Sequence, residues 1–132
     1  MITLISKWKL RNGMLPELAE ALRDVVAIVQ AQEPGTLVYS VHLSAASPLC
    51  ADRKPLHPPP TGVPHELQTE VIFFEVYADA DAFAAHVNGP IFTKFRTENI
   101  QYFYEDPANP GWPNTDTPFL ERQAAFFRPD AN

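Results

Sequence analysis

The stretch EVYADADAFAAHVNGP, residues 75–90, carries Glu75, Tyr77 and His86, side chains able to handle a proton, besides the turn acids Asp79 and Asp81. Histidine has a reference pKa near ~6.5, so its ring can take or give a proton at neutral pH. His86 falls on the inner side of a short Ala/Phe helix. It is either a packing residue beneath Phe83, bonded to a backbone carbonyl, or a working acid/base. Alternation along a strand puts Tyr77 on one face with Val71, Phe73 and Glu75. An aromatic wall suits a flat ring ligand, and the tyrosine hydroxyl could orient an oxygen; a core tyrosine with its tip in water fits the same position. Glu75 sits in a largely apolar strand, where burial raises a carboxyl pKa unless a cation pairs with it. Trp8, on the Ile2/Leu4/Ser6 face of the first strand, could line the same cavity or simply fill the core. His42, on the neighbouring strand, joins the candidate pocket, and Arg96 falls one turn after Phe92, where a guanidinium could stabilise an anion.

Metal and thiol chemistry are poorly supported. None of the histidines, His42, His57, His65 and His86, forms a paired His-x-His or i, i+4 spacing with a carboxylate. The single cysteine, Cys50, lies in a loop, where a lone thiol is usually inert.

Several elements must position these groups. Ile2 to Leu10 alternates as a half-buried strand, and Asn12-Gly13 marks a turn. Pro16 suits the first turn of a helix in which Leu15, Leu18, Ala19, Leu22, Val25, Val26 and Val29 recur at three- and four-residue spacing. Glu33-Pro34-Gly35 ends it, with Gly35 expected in a left-handed exit. Thr36 to Leu43 reads as a second strand and Val71 to Tyr77 as a third, central one. Between them, residues 44–69 hold six prolines (48, 55, 58, 59, 60 and 64) and read as a stiffened inserted loop that could close over a pocket as a lid. Asp79 is a good N-cap for the helix carrying His86, Pro90 opens a further helical piece, residues 106–118 read as loop, and Leu120 to Arg128 as a last strand.

The order β-α-β-β-α-β predicts an α+β, ferredoxin-like fold: an antiparallel sheet with the helices on one face. The other face would carry Ile72, Phe74 and Val76, an apolar patch too large for a monomer, so a homodimer packed sheet to sheet is expected. With 132 residues, the chain is expected to form a single domain over 1–132. A net charge of -6 and no basic stripe argue against nucleic acid and against docking on anionic membranes. The N-terminus, interrupted by Lys7 and Lys9, lacks the apolar core of a signal peptide, and no window reaches ~18 apolar residues, which points to a cytoplasmic location.

The chain resembles the antibiotic biosynthesis monooxygenase family of the dimeric α/β-barrel superfamily. The marks are the Asn12-Gly13 turn, Glu-Pro-Gly-Thr-Leu-x-Tyr at 33–39, Glu-x-Tyr at 75–77, and Ala-His followed by Asn-Gly-Pro-x-Phe at 85–92. The resemblance implies a cofactor-independent monooxygenase that oxidises a quinol or polycyclic phenol with dioxygen, without metal, flavin or haem. It would assign His86 as base, Tyr77 to the pocket position that relatives fill with Trp or Tyr, and Arg96 to a substrate anion, with Trp8, His42, Phe73 and Phe83 around the ring. Two departures stand out. Ile91 replaces a histidine that many relatives carry after the proline, and Ser6 and Arg96 occupy the places where the haem-degrading branch has its asparagine and axial histidine. Two alternatives remain open: an isomerase of a small phosphorylated dicarbonyl, and a non-catalytic dimeric ligand-binding domain. A core packed solid beside His86 would select the second.

Overall fold

The computed structural model describes residues 1–129; the end of the domain expected over 1–132 lies outside the described residues. Strand β1 (Ile2–Lys9) leads through the Asn12-Gly13 turn into helix α1 (Pro16–Gln32) and back along β2 (Thr36–His42). After the proline-rich loop come β3 (Glu70–Tyr77), helices α2 (Ala80–Val87) and α3 (Pro90–Asn99), and two short strands, β4 (Thr115–Asp116) and β5 (Phe119–Leu120). The sheet is antiparallel throughout, in the order β2-β3-β1-β4, with β5 also pairing β1. This is the ferredoxin-like order the sequence predicts.

Alternation divides the sheet into two faces. Leu4, Ser6 and Trp8 of β1 lie beside Glu75, Phe73 and Val71 of β3 on the buried side. Leu18, Leu22, Val25 and Val29 of α1 and Phe92 and Phe95 of α3 cover that side, joined by Phe103 beyond α3. Each buried aliphatic or aromatic side chain contributes about 1.5–3 kcal/mol of transfer free energy, so this layer dominates the stability. The opposite face carries Ile5, Val38, Ile72, Phe74 and Val76. Among these, Val38 is 40% exposed, while Ile5, Ile72 and Phe74 are half-buried.

Local chemistry explains the connections. Gly13 has φ +75°, a left-handed value, and a Cβ there would lie 2.8 Å from the Glu66 backbone. Gly35 serves a different purpose from the expected left-handed exit: its φ is not positive, and a Cβ would come within 2.7 Å of the Ala82 Cβ. Close approach of α2 to the end of α1 requires the missing side chain. The Asp79 carboxylate accepts the Ala82 N–H at 2.8 Å, capping α2 as expected.

The proline-rich loop is tied by one side chain. The buried Gln68 amide accepts the Ser44 N–H at 3.0 Å and donates to the Ser44 carbonyl at 2.9 Å and the Val63 carbonyl at 3.3 Å. Near the loop's end, the His65 carbonyl accepts the Met14 N–H at 2.8 Å, so the loop leans on the β1–α1 turn.

The last strand differs from expectation. Residues 121–129 have no regular structure, and pairing with β1 falls instead on 115–120, within and just after the stretch read as loop. Pro118 splits the pairing into two short pieces because it has no donor for a continuous ladder. Leu120 pairs with Thr3, and running antiparallel from there the chain soon passes the beginning of β1. The apolar pattern at 120–128 therefore has no strand left to pair with inside this chain, and Phe126 and Phe127 remain 75% and 80% exposed.

Candidate functional site

A cavity of about 160 Å³ lies between the sheet and the helices, at the end where β1, β2, β3, α2, α3 and the 112–117 segment meet. Strand alternation delivers Ser6 and Trp8 from β1, Tyr39 from β2, and Phe73 and Glu75 from β3. The capped turn at Asp79 starts α2 so that Phe83 and His86, three residues apart, face the sheet together. Phe92 of α3 and Trp112 complete an aromatic enclosure, and Thr117 supplies a hydroxyl.

His86 is 2% exposed. Its Nδ1 lies 2.9 and 3.0 Å from the two carboxylate oxygens of Glu33, the residue that caps the C-terminus of α1. An ionised carboxylate only accepts hydrogen bonds, so Nδ1 carries the proton and donates it. In the neutral ring, Nε2 then holds the lone pair. Nε2 is buried without a hydrogen-bond partner and lies 3.8 Å from Glu75 Oε1. An acceptor left empty in a buried place costs about 1–3 kcal/mol, and such groups cluster where a ligand completes them.

Glu75 accepts the Tyr77 hydroxyl at 2.6 Å. Burial raises the Glu75 carboxyl pKa above its ordinary range, opposed by the Tyr77 hydrogen bond and the nearby His86. Burial also raises the Tyr39 and Tyr77 hydroxyls, with the Glu75 charge adding to the effect, so both phenols stay protonated. Across the cavity, Ser6 Oγ accepts the Trp8 indole N–H at 2.9 Å and lies 2.8 Å from Thr117 Oγ1. Polar groups thus sit on two walls of an otherwise aromatic chamber.

Of the residues singled out in the sequence, His86, Trp8, Phe73 and Phe83 line the cavity together. Three lie elsewhere. Tyr77 stands behind the wall, fully buried: its hydroxyl bonds Glu75, and its ring packs on His86 at 5.5 Å and Phe83 at 5.1 Å. His42 is on the opposite face of the sheet, exposed, with Nε2 2.8 Å from Ser40 Oγ. Arg96 turns away: its guanidinium stacks on Trp112 at 4.2 Å, and Nη1 donates to the Gly111 carbonyl at 2.8 Å. It is a buttress for the wall rather than a partner for a substrate anion. The proline-rich loop contributes nothing to the lining, so the expectation of a lid there is corrected: the 112–117 segment forms that side of the pocket. Glu33, Tyr39, Trp112 and Thr117 were not recognised as site residues from the sequence. Alternation along β2 could have found Tyr39, but nothing local marks the others.

Among the described residues, no three His, Cys, Asp or Glu side chains are grouped to hold a metal ion, and no helix is long and apolar enough to cross a membrane.

No family model matches the chain, and no curated protein matches it. Solved structures share its fold. PA3566 from Pseudomonas aeruginosa aligns over 93% of this chain and 94% of its own, at 21% identity and TM-score 0.62. A structure named antibiotic biosynthesis monooxygenase aligns over 94% and 100%, at 15% identity and TM-score 0.58. SnoaB from Streptomyces nogalater, described as a cofactor-independent oxygenase, aligns over 94% of both chains, at 12% identity and TM-score 0.58. The chain therefore has the ferredoxin-type fold of structures named antibiotic biosynthesis monooxygenases, as the sequence resemblance implied. At these identities the likeness is one of fold.

Proposed function

We propose that the protein is a cofactor-independent monooxygenase that oxidises a hydroxylated aromatic compound of the quinol or phenol class with dioxygen. The observation that carries this reading is His86: a buried ring on an aromatic cavity, its Nε2 without a partner and its opposite nitrogen held by Glu33. A phenolic hydroxyl in the cavity satisfies Nε2 and gives it a proton, which makes the substrate an electron-rich phenolate able to reduce dioxygen. Glu33 holds the tautomer that leaves the lone pair inside and stabilises the imidazolium that forms. Its side chain is 18% exposed, so the proton has a short route to water. The reaction balances as hydroxyarene plus dioxygen to quinone plus water. In a phenol the ring C–H opposite the hydroxyl becomes a carbonyl; in a quinol a ring C–H beside a hydroxyl becomes C–OH as both original hydroxyls become carbonyls, giving a hydroxyquinone. In either case the second oxygen atom leaves as water with the two hydrogens lost. The four electrons that reduce dioxygen come from the substrate.

The isomerase alternative requires a cationic site for a phosphate. No lysine or arginine lines the cavity, Arg96 is engaged by Trp112 and Gly111, and buried Glu75 repels an anion once ionised. The non-catalytic alternative anticipates a filled core, which the chamber beside His86 disfavours. Oxygen uptake measured over a panel of reduced quinols and phenols tests the proposal. Turnover that is lost in His86→Gln supports it, and absence of uptake across the panel refutes it.

The protein is also proposed to act as a homodimer, its uncovered sheet face of Ile5, Val38, Ile72 and Phe74 packed against a second copy. Light scattering should return twice the 14.8 kDa chain mass at micromolar concentration; the single-chain mass would rule this arrangement out.

A further inference from the structure

We infer that the substrate is a single-ring hydroxyarene, of the benzenediol or simple phenol class, and that fused polycyclic phenols are disfavoured by size. This inference rests on the monooxygenase reading for its chemistry, but it concerns what fits the cavity.

Two observations carry it. The first is volume. The chamber measures about 160 Å³. A dry apolar cavity of about 150 Å³ is sufficient for benzene, whereas pockets for larger ligands run to about 300–1,000 Å³. One six-membered ring fills the space between the walls, and a second fused ring must either project from the open side of the pocket or displace a wall. The walls resist displacement because they brace one another: Trp8 packs on Phe73 at 5.1 Å and edge-on against Phe92 at 6.1 Å, Phe92 on Trp112 at 5.8 Å, and Trp112 under the Arg96 guanidinium at 4.2 Å.

The second observation is polarity. His86 lines the cavity and its Nε2 is buried without a partner, so a ring bearing a donor that can reach it is selected. The linked hydroxyls of Ser6 and Thr117 lie on another wall, where they can meet a second oxygen substituent. Trp8, Phe73, Phe83 and Phe92 offer only ring faces and edges to the remainder of the guest. An anionic substrate is disfavoured, because no cation lines the wall.

Both tryptophans of the chain, Trp8 and Trp112, line the cavity, so intrinsic fluorescence reports its occupancy directly. The test is an anaerobic titration of the intact protein with benzene, phenol, hydroquinone, naphthohydroquinone and anthrone, without turnover. Phenol and hydroquinone should bind about tenfold more tightly than benzene, and this preference should vanish in His86→Leu. Naphthohydroquinone should bind at least about tenfold more weakly than hydroquinone, and anthrone more weakly still. Phe83→Ala, which opens a half-buried wall, should narrow the gap between one and two rings. Equal affinity for the one-, two- and three-ring compounds overturns the inference, as does failure of every single-ring probe to bind. Anaerobic binding of hydroquinone without later oxygen uptake would defeat the monooxygenase reading and leave the size assignment standing. Oxygen uptake that favours anthrone over hydroquinone would do the reverse.

Discussion

Removing the Glu33 carboxylate tests the central feature of the site without reference to any substrate. His86 Nδ1 donates to both Glu33 oxygens, at 2.9 and 3.0 Å, from a ring only 2% exposed. A hydrogen bond to a charged group contributes about 1.5–3 kcal/mol net, and a buried donor left empty costs a comparable amount. Glu33 is itself 18% exposed, so water can enter where the carboxylate was and soften the loss. Glu33→Ala should therefore destabilise the protein by about 1.5–2 kcal/mol, roughly a 10- to 30-fold fall in the folded-to-unfolded ratio. For a chain of this size that lowers Tm by about 5–10 °C. The assay is urea unfolding followed by tryptophan fluorescence, with the midpoint read at constant m-value. A double-mutant cycle isolates the pair: in a His86→Leu background, Glu33→Ala should cost less than about 0.5 kcal/mol. If the cost is the same in both backgrounds, the carboxylate does not hold the imidazole and the assigned tautomer has no support.

Three further outcomes follow from particular contacts. Burial raises the Glu75 pKa above its usual value, so the folded state binds that proton more tightly than the unfolded chain; stability contributed by the neutral acid is lost as pH rises from about 4.5 through the folded value. Glu75→Gln should therefore gain stability relative to the parent as pH increases, measured by thermal melts from acid to neutral pH, and a constant difference would contradict the assignment. Gly13→Ala combines a φ of +75° with a Cβ 2.8 Å from backbone atoms of His65 and Glu66, and should cost about 2–4 kcal/mol in urea unfolding; a neutral effect would mean the turn is free to rearrange. Arg96→Ala removes the stack on Trp112 and the bond to the Gly111 carbonyl; it should destabilise by about 1–2 kcal/mol and make Trp112 more open to acrylamide quenching, and unchanged quenching would show that the wall stands without it.

What the sequence reveals and what it conceals follow from the range of the interactions. Period-two alternation in β1 and β3 assigns Trp8 and Phe73 to the inner face because one set of positions is buried on each strand. In β2 that logic is weak: Val38 and Val41 lie on opposite faces, both parities carry apolar residues, and the strand contains a register shift between Thr36 and Val38. The sequence offers no means of telling that His42 faces outward. The turn of α2 that carries His86 is legible from Asp79 and the Ala/Phe spacing. Its partner Glu33 is 53 residues away, and that pairing exists only once α1 and α2 are docked. Arg96 and Trp112 show the same limit, since a helix position predicts a face but not which returning loop will lie against it.

The Gln68 amide, bonded to both the N–H and the carbonyl of Ser44, makes the base of the proline-rich excursion a closed clasp. Chain length beyond that clasp is decoupled from the chamber at the other end of the sheet. Residues between 45 and 62, ahead of the Val63, His65 and Glu66 backbone held by Gln68, Met14 and Gly13, can be shortened, lengthened or recomposed over generations while the imidazole and its aromatic walls keep their places. The excursion is free to acquire a separate surface identity without any cost to the chemistry.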